Sequence, residues 1–150
     1  MKIRGSLPRE AITTYLEEAT IPLRLACRTP SGRLWMLSLW FTYRDGTLQC
    51  ATAASADVVR YLEHDSDVAF EVSSNEPPYA GVRGAGTATI SPDPDKTLLR
   101  ELLEEYLGGT ESSLANSLLD EGRSEVTITI EPAVVYGWDF SGRMADAVAE

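Results

Sequence analysis

Few side chains of this 150-residue chain could carry acid–base or nucleophilic chemistry. His64 is the only histidine and lies between Glu63 and Asp65, which excludes a multi-histidine metal site and predicts a structural or solvent-exposed role. Cys27 and Cys50 lie in apolar runs, so we expect buried free thiols and no disulfide scaffold. A thiolate pair of Cys27 with His64 has no local support, and the chain has no Gly-x-Ser-x-Gly motif of an α/β-hydrolase.

The glycine-rich and acidic motifs also fall short of known site patterns. Gly84 and Gly86 lack the third glycine of a dinucleotide-binding fingerprint and lie inside a predicted strand. With Ala88 they indicate either room for a cofactor or a partner backbone, or a sharply bent barrel corner. The acidic triplets at 65–67 and 93–95 lack the spacing of a calcium loop and are typical of turns and helix caps.

The charge balance restricts the partners of the chain. Asp and Glu total 23 against 13 Lys and Arg, which gives a formal net charge of −10. Such a chain repels phosphate backbones and anionic lipid, so neither nucleic acid nor a membrane surface is an expected partner. Only Lys2 and Lys96 are lysines, and this acidic, lysine-poor composition predicts adaptation to a high-salt cytoplasm.

Hydrophobic periodicity and turn residues predict mostly strands, with a few inserted helices. Asp45-Gly46 is the strongest hairpin signal, and Pro132 is expected to break the final strand region. Ser55 is a candidate N-cap for the second helix, and Asp93-Pro94 is expected to open the third, which ends at Gly108. The predicted helices cover 8–19, 55–63, 93–108 and 112–120; the predicted strands cover 22–29, 33–43, 47–52, 67–73, 82–90, 125–131 and 133–138; the end, 145–150, is predicted to be frayed.

These elements predict one mainly β (α+β) domain over residues 1–150, with its core in 8–140. Tight hairpins imply antiparallel pairing, and a closed or nearly closed small barrel protects the edge strands. The strand predicted at 33–43 is apolar on both faces, with Trp35, Leu37 and Phe41 on one and Met36 and Trp40 on the other. A strand of this kind needs a second cover, which could be a helix, a partner subunit or a flat ligand.

The order of the motifs resembles the pyridoxamine 5′-phosphate oxidase-like, FMN-binding split-barrel family. The resemblance runs over about residues 8–140 and is carried by the following segments: Arg24-Leu25-Ala26-Cys27, the Pro-Ser-Gly turn, Leu39-Trp40-Phe41-Thr42-Tyr43, Asp45-Gly46, Thr52, Ser55 with the helix through Val59 and Leu62, the strand at 67–72, the glycine-containing strand at 82–88, and Tyr136-Gly137-Trp138-Asp139. It implies a six-stranded antiparallel split β-barrel with flanking helices, paired as a homodimer. The cofactor, FMN or in some branches F420 or haem, would lie at the subunit interface.

The resemblance also assigns the cofactor-binding residues. Leu39, Trp40 and Phe41 would border the isoalloxazine ring. The ribityl phosphate would be held by Ala51, Thr52 and Ser55, and a helix N-terminus with a hydroxyl cap is a suitable anion site. Trp138 would either face a partner's cofactor or lie in the core.

One residue departs from the family pattern at the phosphate end. Asp57 stands where a lysine is frequent, and a carboxylate beside a phosphate is unfavourable. Either an arginine takes the place of the lysine, or the phosphate lies elsewhere, or the site has lost FMN. Arg60 is the first candidate, with Arg24, Arg28 and Arg83 as alternatives, because arginine binds phosphate through paired hydrogen bonds.

The predicted function is therefore that of a flavoprotein, an FMN-dependent oxidoreductase of the pyridoxamine 5′-phosphate oxidase-like class that acts on a small molecule. The alternatives are an F420-dependent reductase on the same fold, and a non-catalytic flavin or haem carrier or empty-site barrel dimer. No catalytic side chain and no metal ligand is expected, because a flavin carries the reaction itself. The first 18 residues lack an apolar leader-type block, so a cytoplasmic location is expected.

Overall fold

The computed structural model describes residues 1–148. Its strands form a mostly antiparallel sheet that curls into a half-barrel with flanking helices, which confirms the predicted fold class, with eight strands rather than the expected six. The elements are β1 (Lys2–Arg4), α1 (Arg9–Glu18), β2 (Leu23–Arg28), β3 (Leu34–Leu39), β4 (Phe41–Arg44), β5 (Thr47–Ala53), α2 (Asp57–His64), β6 (Asp67–Ser73), β7 (Ala80–Pro92), α3 (Thr97–Leu107), α4 (Ser113–Leu118), β8 (Glu125–Asp139) and α5 (Ala145–Val148). No helix among these residues combines the length and the apolar character that crossing a membrane requires.

The sheet has eight strands in the order β3-β2-β6-β7-β8-β5-β4, and β1 pairs in parallel with the second half of β8. β7 and β8 are the long central pair, and they carry β6 and β5 on their outer sides. β3 and β4 therefore lie at opposite edges of the sheet, although only Trp40 separates them in sequence. The opening between these two edges is the split in the barrel.

The prediction of a single strand at 33–43 is wrong, because at Trp40 the chain passes from one edge of the sheet to the other. The side chain of Tyr106 in α3 holds this break. Its hydroxyl oxygen accepts a hydrogen bond from the N–H of Phe41 at 3.2 Å and lies 3.1 Å from the carbonyl oxygens of Phe41 and Ile21, to either of which it can donate. These contacts satisfy backbone groups that a broken strand would otherwise leave unpaired. The predicted hairpin at Asp45-Gly46 is confirmed, with φ of 54° and 77°.

The predicted break at Pro132 is also wrong, because β8 continues through it as a β-bulge. The register shifts where Ala85 pairs with Val134 but Gly86 pairs with Pro132. A Cβ on Gly86 would lie 2.2 Å from the carbonyl oxygen of Glu131, so glycine here permits close approach of the two central strands. Of the two interpretations of these glycines, the structure thus favours the bent sheet at this position.

Helix ends differ from expectation by a few residues. α3 starts at Thr97, and Pro94 lies in the turn before it, but Asp93 still caps the helix because its carboxylate accepts the N–H groups of Thr97 and Leu98, each at 3.0 Å. α4 has Ser112 as its N-cap, as its hydroxyl accepts the Ala115 N–H. In the predicted frayed end, 145–148 form a short helix and 149–150 lie outside the described residues.

The core lies inside the half-barrel and is closed at its ends by helices α1 and α2. Alternate residues of the strands point inward, and α1 contributes Ile12 and Leu16 while α2 contributes Val58, Val59 and Leu62. A second, smaller cluster joins α3 and α4 to the outer face of β5, and its buried members are Leu99, Leu103 and Ala115. This second cluster covers Trp40, so one of the three expected covers, a helix of the same chain, is present.

Candidate functional site

The structure places five of the seven predicted cofactor residues at two cavities near opposite ends of β3, and Phe41 and Ser55 line neither cavity. Leu39, Trp40, Ala51 and Thr52 line one cavity of about 400 Å³, which we term the Trp40 cavity. Its remaining walls are leucines of α3 and α4, residues Pro22 and Ser38, and the charged pair Arg123 and Glu125. It is therefore an apolar space with one charged wall, as is usual for a small-molecule site.

Trp40 is the largest flat surface of this cavity and is held in a fixed orientation. Its ring stacks on Tyr106, with centroids 5.3 Å apart and planes 14° from parallel. Burial raises the pKa of the Tyr106 hydroxyl to about 12, so this group stays neutral and keeps its backbone hydrogen bonds at physiological pH. The sequence predicted an aromatic wall at this point, and the stacked pair supplies a rigid one.

Phe41 lies next to the cavity but points away from it. Its side chain is 1% exposed and belongs to the main core cluster. Only its backbone could border a ligand, and the Tyr106 hydroxyl already contacts that backbone. The change of direction at Trp40 thus sends these two neighbouring aromatic rings to different sides of the sheet.

Ser55 does not cap α2, which corrects the sequence prediction. The Ala56 N–H bonds to the carbonyl oxygen of Ala53 in a tight turn, and α2 begins only at Asp57, with Ala56 as an N-cap that provides no side-chain hydrogen bond. Ser55 is exposed in that turn. Asp57 occupies the first turn instead, where its negative charge already complements the helix dipole. The N-terminus of α2 is therefore poorly suited to bind a phosphate.

Arg60 lies in the second cavity, at the other end of β3. This space of about 820 Å³, the Trp35 cavity, is bordered by the turn before β3 and one face of α2, and its lining residues are Thr29, Pro30, Ser31, Arg33, Leu34, Trp35, Arg60 and Tyr61. The Arg60 guanidinium lies 5.3 Å from the Tyr61 ring centroid and 3.4 Å from an Asp57 carboxylate oxygen. This pair is about two-thirds exposed, so water screens it and a competing anion could displace the carboxylate.

The two cavities border different ends of the β3 region and share no lining residue. Trp35 and Trp40 are five residues apart, and an extended strand rises roughly 3.3 Å per residue, so at most about 17 Å separates their Cα atoms, because β3 ends at Leu39. Trp35, Leu37 and Leu39 share one face of β3, and Leu37 and Leu39 are partly buried against the core. The candidate site thus consists of two separate cavities, one with arginines and one with a stacked tryptophan.

Sequence reasoning missed the charged wall of the Trp40 cavity. The Arg123 Nε donates to Glu125 Oε2 at 2.6 Å, and the Glu125 side chain is completely buried. The other oxygen, Oε1, is buried and has no hydrogen-bond partner within residues 1–148. In the sequence Glu125 is simply the polar residue that starts an alternating strand, and no periodicity shows that α3 and α4 will cover its face.

The other arginines and Trp138 lie elsewhere. Arg24 and Arg83 line a third cavity, on the outer face of the sheet, and Arg83 lies over the ring of Trp138 with 4.4 Å to its centroid. Trp138 is 7% exposed, which agrees with a packed rather than a ligand-facing ring. Arg28 is exposed and donates to the carbonyl oxygen of Gly32. None of these residues lines the cavity at either end of β3.

The thiols are not nucleophiles. Both cysteines are buried and free, as predicted. Burial raises the pKa of Cys50 to about 12 and raises that of Cys27 as well, so both are protonated at neutral pH. Within residues 1–148, no group of three or more His, Cys, Asp or Glu side chains is arranged to hold a metal ion.

Solved structures share this fold at low sequence identity. An F420 reductase superposes with a TM-score of 0.72 at 22% identity, covering 86% of this chain and 98% of its own. A candidate pyridoxamine 5′-phosphate oxidase from Corynebacterium glutamicum gives a TM-score of 0.57 at 20% identity, covering 87% and 88%. The haem-storage protein HutZ from Vibrio cholerae gives a TM-score of 0.58 at 15% identity, covering 83% of this chain and 89% of its own. No family model and no curated protein matches the sequence.

These neighbours and the sheet order define the class. The chain has the pyridoxamine 5′-phosphate oxidase-like split-barrel fold, as the motif order predicted. At these identities the likeness extends to the fold alone, and the function has to be argued from the cavities.

Proposed function

We propose that this protein is a flavoprotein oxidoreductase that binds FMN along β3, with the isoalloxazine ring in the Trp40 cavity. The observation that carries the proposal is the fixed Trp40–Tyr106 stack beside an apolar cavity of about 400 Å³. A planar tricyclic ring gains from contact with a rigid aromatic face and with the leucines of α3 and α4. The F420 reductase and the haem-storage protein of the same fold support a large planar ligand of this kind.

The residues present fit the ring better than they fit a phosphate at α2. The Trp40 cavity is mostly apolar, but Asp57 and the uncapped start of α2 disfavour an anion at Ser55. Arg33 and Arg60 of the Trp35 cavity are the arginines that would hold an anionic cofactor tail, and Arg60 would exchange Asp57 for it. FMN would supply hydride or electron transfer when bound, and this chain would orient the ring and exclude water from it.

An F420-dependent reductase is the second candidate. The observation that favours it is that the Trp35 cavity, with its arginines, shares no lining residue with the Trp40 cavity, so a cofactor that reaches both needs a long tail. The superposition also includes 98% of the F420 reductase chain. A non-catalytic carrier or an empty-site dimer would share the fold but would show no turnover of a bound cofactor.

A second copy of the chain completes the proposed protein as a homodimer. The outer face of β3, β2, β6, β7 and β8 exposes Met36, with 65% of its surface accessible, and Tyr136, with 42%. Between them Ala26, Ala69 and Ala85 form a row of small residues in register across the sheet. This apolar strip, which lines the third cavity together with Arg24, Glu71 and Arg83, would pack against its own copy and shield β3, the edge strand that borders the cofactor site.

Ligand titration tests the proposal. We expect FMN or F420 to bind the wild-type chain, raise its melting temperature and change the cofactor fluorescence. Trp40→Ala should weaken binding by about 10-fold or more, because a buried aromatic contact contributes roughly 1–3 kcal/mol. Tyr79→Ala is the matched control, since Tyr79 is an exposed aromatic outside both cavities. A chain that shows no response to either cofactor would contradict the proposed function and favour an empty barrel, while a Soret band on purification would favour haem.

A further inference from the structure

The charged wall of the Trp40 cavity contains an acceptor that the protein itself does not use. Glu125 is the first residue of β8, and its side chain is completely buried beneath α3 and α4. One carboxylate oxygen receives the Arg123 Nε–H at 2.6 Å, and the other, Oε1, has no partner within residues 1–148. A buried acceptor without a donor costs free energy, so a ligand donor at this position would recover it.

Arg123 and Glu125 together present a donor beside an acceptor. The ion pair uses Nε, which leaves the terminal nitrogens of the guanidinium for an acceptor on a ligand. Both residues line the Trp40 cavity, whose remaining lining is mostly apolar, and they also border a neighbouring polar cavity of about 550 Å³ beside Lys96 and Arg100. The complementary chemical group is therefore a planar ring edge on which an N–H donor stands next to a carbonyl oxygen.

We propose that Glu125 Oε1 is the specificity-determining acceptor of the Trp40 cavity and selects planar ligands that carry an imide-type N–H beside a carbonyl group. This inference rests on the proposed function, because it assigns the pyrimidinedione edge of a flavin or deazaflavin to this wall. The ring then lies with one face on Trp40 and its polar edge at Arg123 and Glu125. Rings of the same size and apolarity that lack this N–H bind less well.

Lumiflavin, which has the ring but no phosphate, is the probe for the test. We compare it with lumiflavin methylated at the pyrimidinedione nitrogen, which keeps the ring but loses the N–H. Wild-type protein should bind lumiflavin about 10-fold to 100-fold more tightly, measured by quenching of flavin fluorescence, because a hydrogen bond to a charged acceptor is lost on methylation.

Glu125→Gln separates hydrogen bonding from simple exclusion of the methyl group. The amide oxygen would accept from Arg123, which turns the amide NH2 towards the cavity and replaces the acceptor with a donor. The preference for the N–H ring should then disappear. Glu121→Gln is the matched control, because Glu121 is exposed, lies in the same segment and does not line the Trp40 cavity.

The outcomes distinguish this inference from the proposed function. If wild-type protein binds both rings equally, or if Glu125→Gln keeps the preference, the role of Glu125 is wrong while the flavin site stands. If FMN binds and lumiflavin does not, the cavity does not hold the ring edge and the inference is overturned. If neither FMN nor F420 nor lumiflavin binds, the proposed function itself fails. The comparison of two ligands on the wild-type chain remains decisive if Glu125→Gln does not fold.

Discussion

Neighbouring aromatic residues at the break between β3 and β4 have different roles, and this difference can be measured. Phe41 is 1% exposed in the main core, whereas Trp40 lies in the smaller cluster and faces a cavity. We expect Phe41→Ala to lower the free energy of unfolding by about 3–5 kcal/mol, since it leaves a cavity inside the half-barrel. Urea unfolding monitored by circular dichroism measures this.

Trp40→Ala should cost less in the same urea experiment, because the ring is only partly buried and contacts open space on one side. Equal losses for the two variants would mean that Trp40 is a core residue and not a ligand wall. A double replacement of Trp40 and Phe41, which the family resemblance suggests, would confuse loss of binding with unfolding. Single variants at Trp40 are therefore the useful probes of the site.

Two buried proton donors predict a loss of stability at alkaline pH. Burial raises the pKa of both Cys50 and Tyr106 to about 12, above their ordinary values of 9.0 and 10.0. The unfolded chain releases these protons first, so the contribution to stability is full below about pH 9 and is lost as pH rises towards 12. The free energy of unfolding should fall steadily over this range. Cys50→Ala should make the fall in the free energy of unfolding shallower at the start of this pH range. An unchanged slope would show that the Cys50 thiol does not contribute to it.

At the level of elements, one hydroxyl connects three segments of the chain. Tyr106 in α3 contacts backbone groups of Ile21 and Phe41, which lie before β2 and at the start of β4. We expect Tyr106→Phe to cost about 1–3 kcal/mol, because it leaves buried backbone groups unpaired while keeping the ring stacked on Trp40. Hydrogen exchange should also speed up at the Phe41 amide. Tyr79→Phe, at an exposed position, should change neither quantity.

Local sequence signals predicted most elements and missed where they join. Turn chemistry at Asp45-Gly46 and the carboxylate cap at Asp93 were sufficient because both act within a few residues. The continuous apolar run at 33–43 could not reveal the change of edge at Trp40, since the side chain that fixes it comes from 65 residues away. Pro132 is tolerated within β8 because a bulge removes the need for its missing N–H, and local propensity cannot foresee this.

The candidate site was predictable on its apolar side and not on its polar side. Leu39, Trp40, Ala51 and Thr52 come together where the chain passes from β3 to β4, because β5, the neighbour of β4, carries Ala51 and Thr52. Ser55 and Arg60 do not join them, since α2 starts later than its cap signal indicated and carries Arg60 to the Trp35 cavity. The buried Glu125 depends on two helices that fold over β5 and β8, a tertiary arrangement without a local pattern.

The outer face of the whole molecule predicts self-association. Ala69 lies at the centre of the apolar strip between Met36 and Tyr136, so a charge there would have to be desolvated in a dimer. We expect the wild-type chain to be dimeric and Ala69→Lys to be monomeric, as measured by light scattering coupled to size-exclusion chromatography. Ser117→Lys, on the exposed side of α4, is the control and should stay dimeric. A monomeric wild-type chain would contradict the proposed homodimer.

The net charge of −10 makes the stability of the molecule depend on salt. Surface pairs such as Asp57–Arg60 and Glu71–Arg83 are exposed and weaken as salt rises, but acidic residues outnumber basic ones by 23 to 13, so repulsion is the larger effect. Screening should therefore raise the melting temperature, mostly below about 1 M KCl, where the Debye length has fallen to roughly 3 Å. A neutral osmolyte acts by exclusion instead and gives no such early rise. Thermal unfolding in a KCl series measures this, and a flat or falling profile would show that the acidic surface is not a saline adaptation.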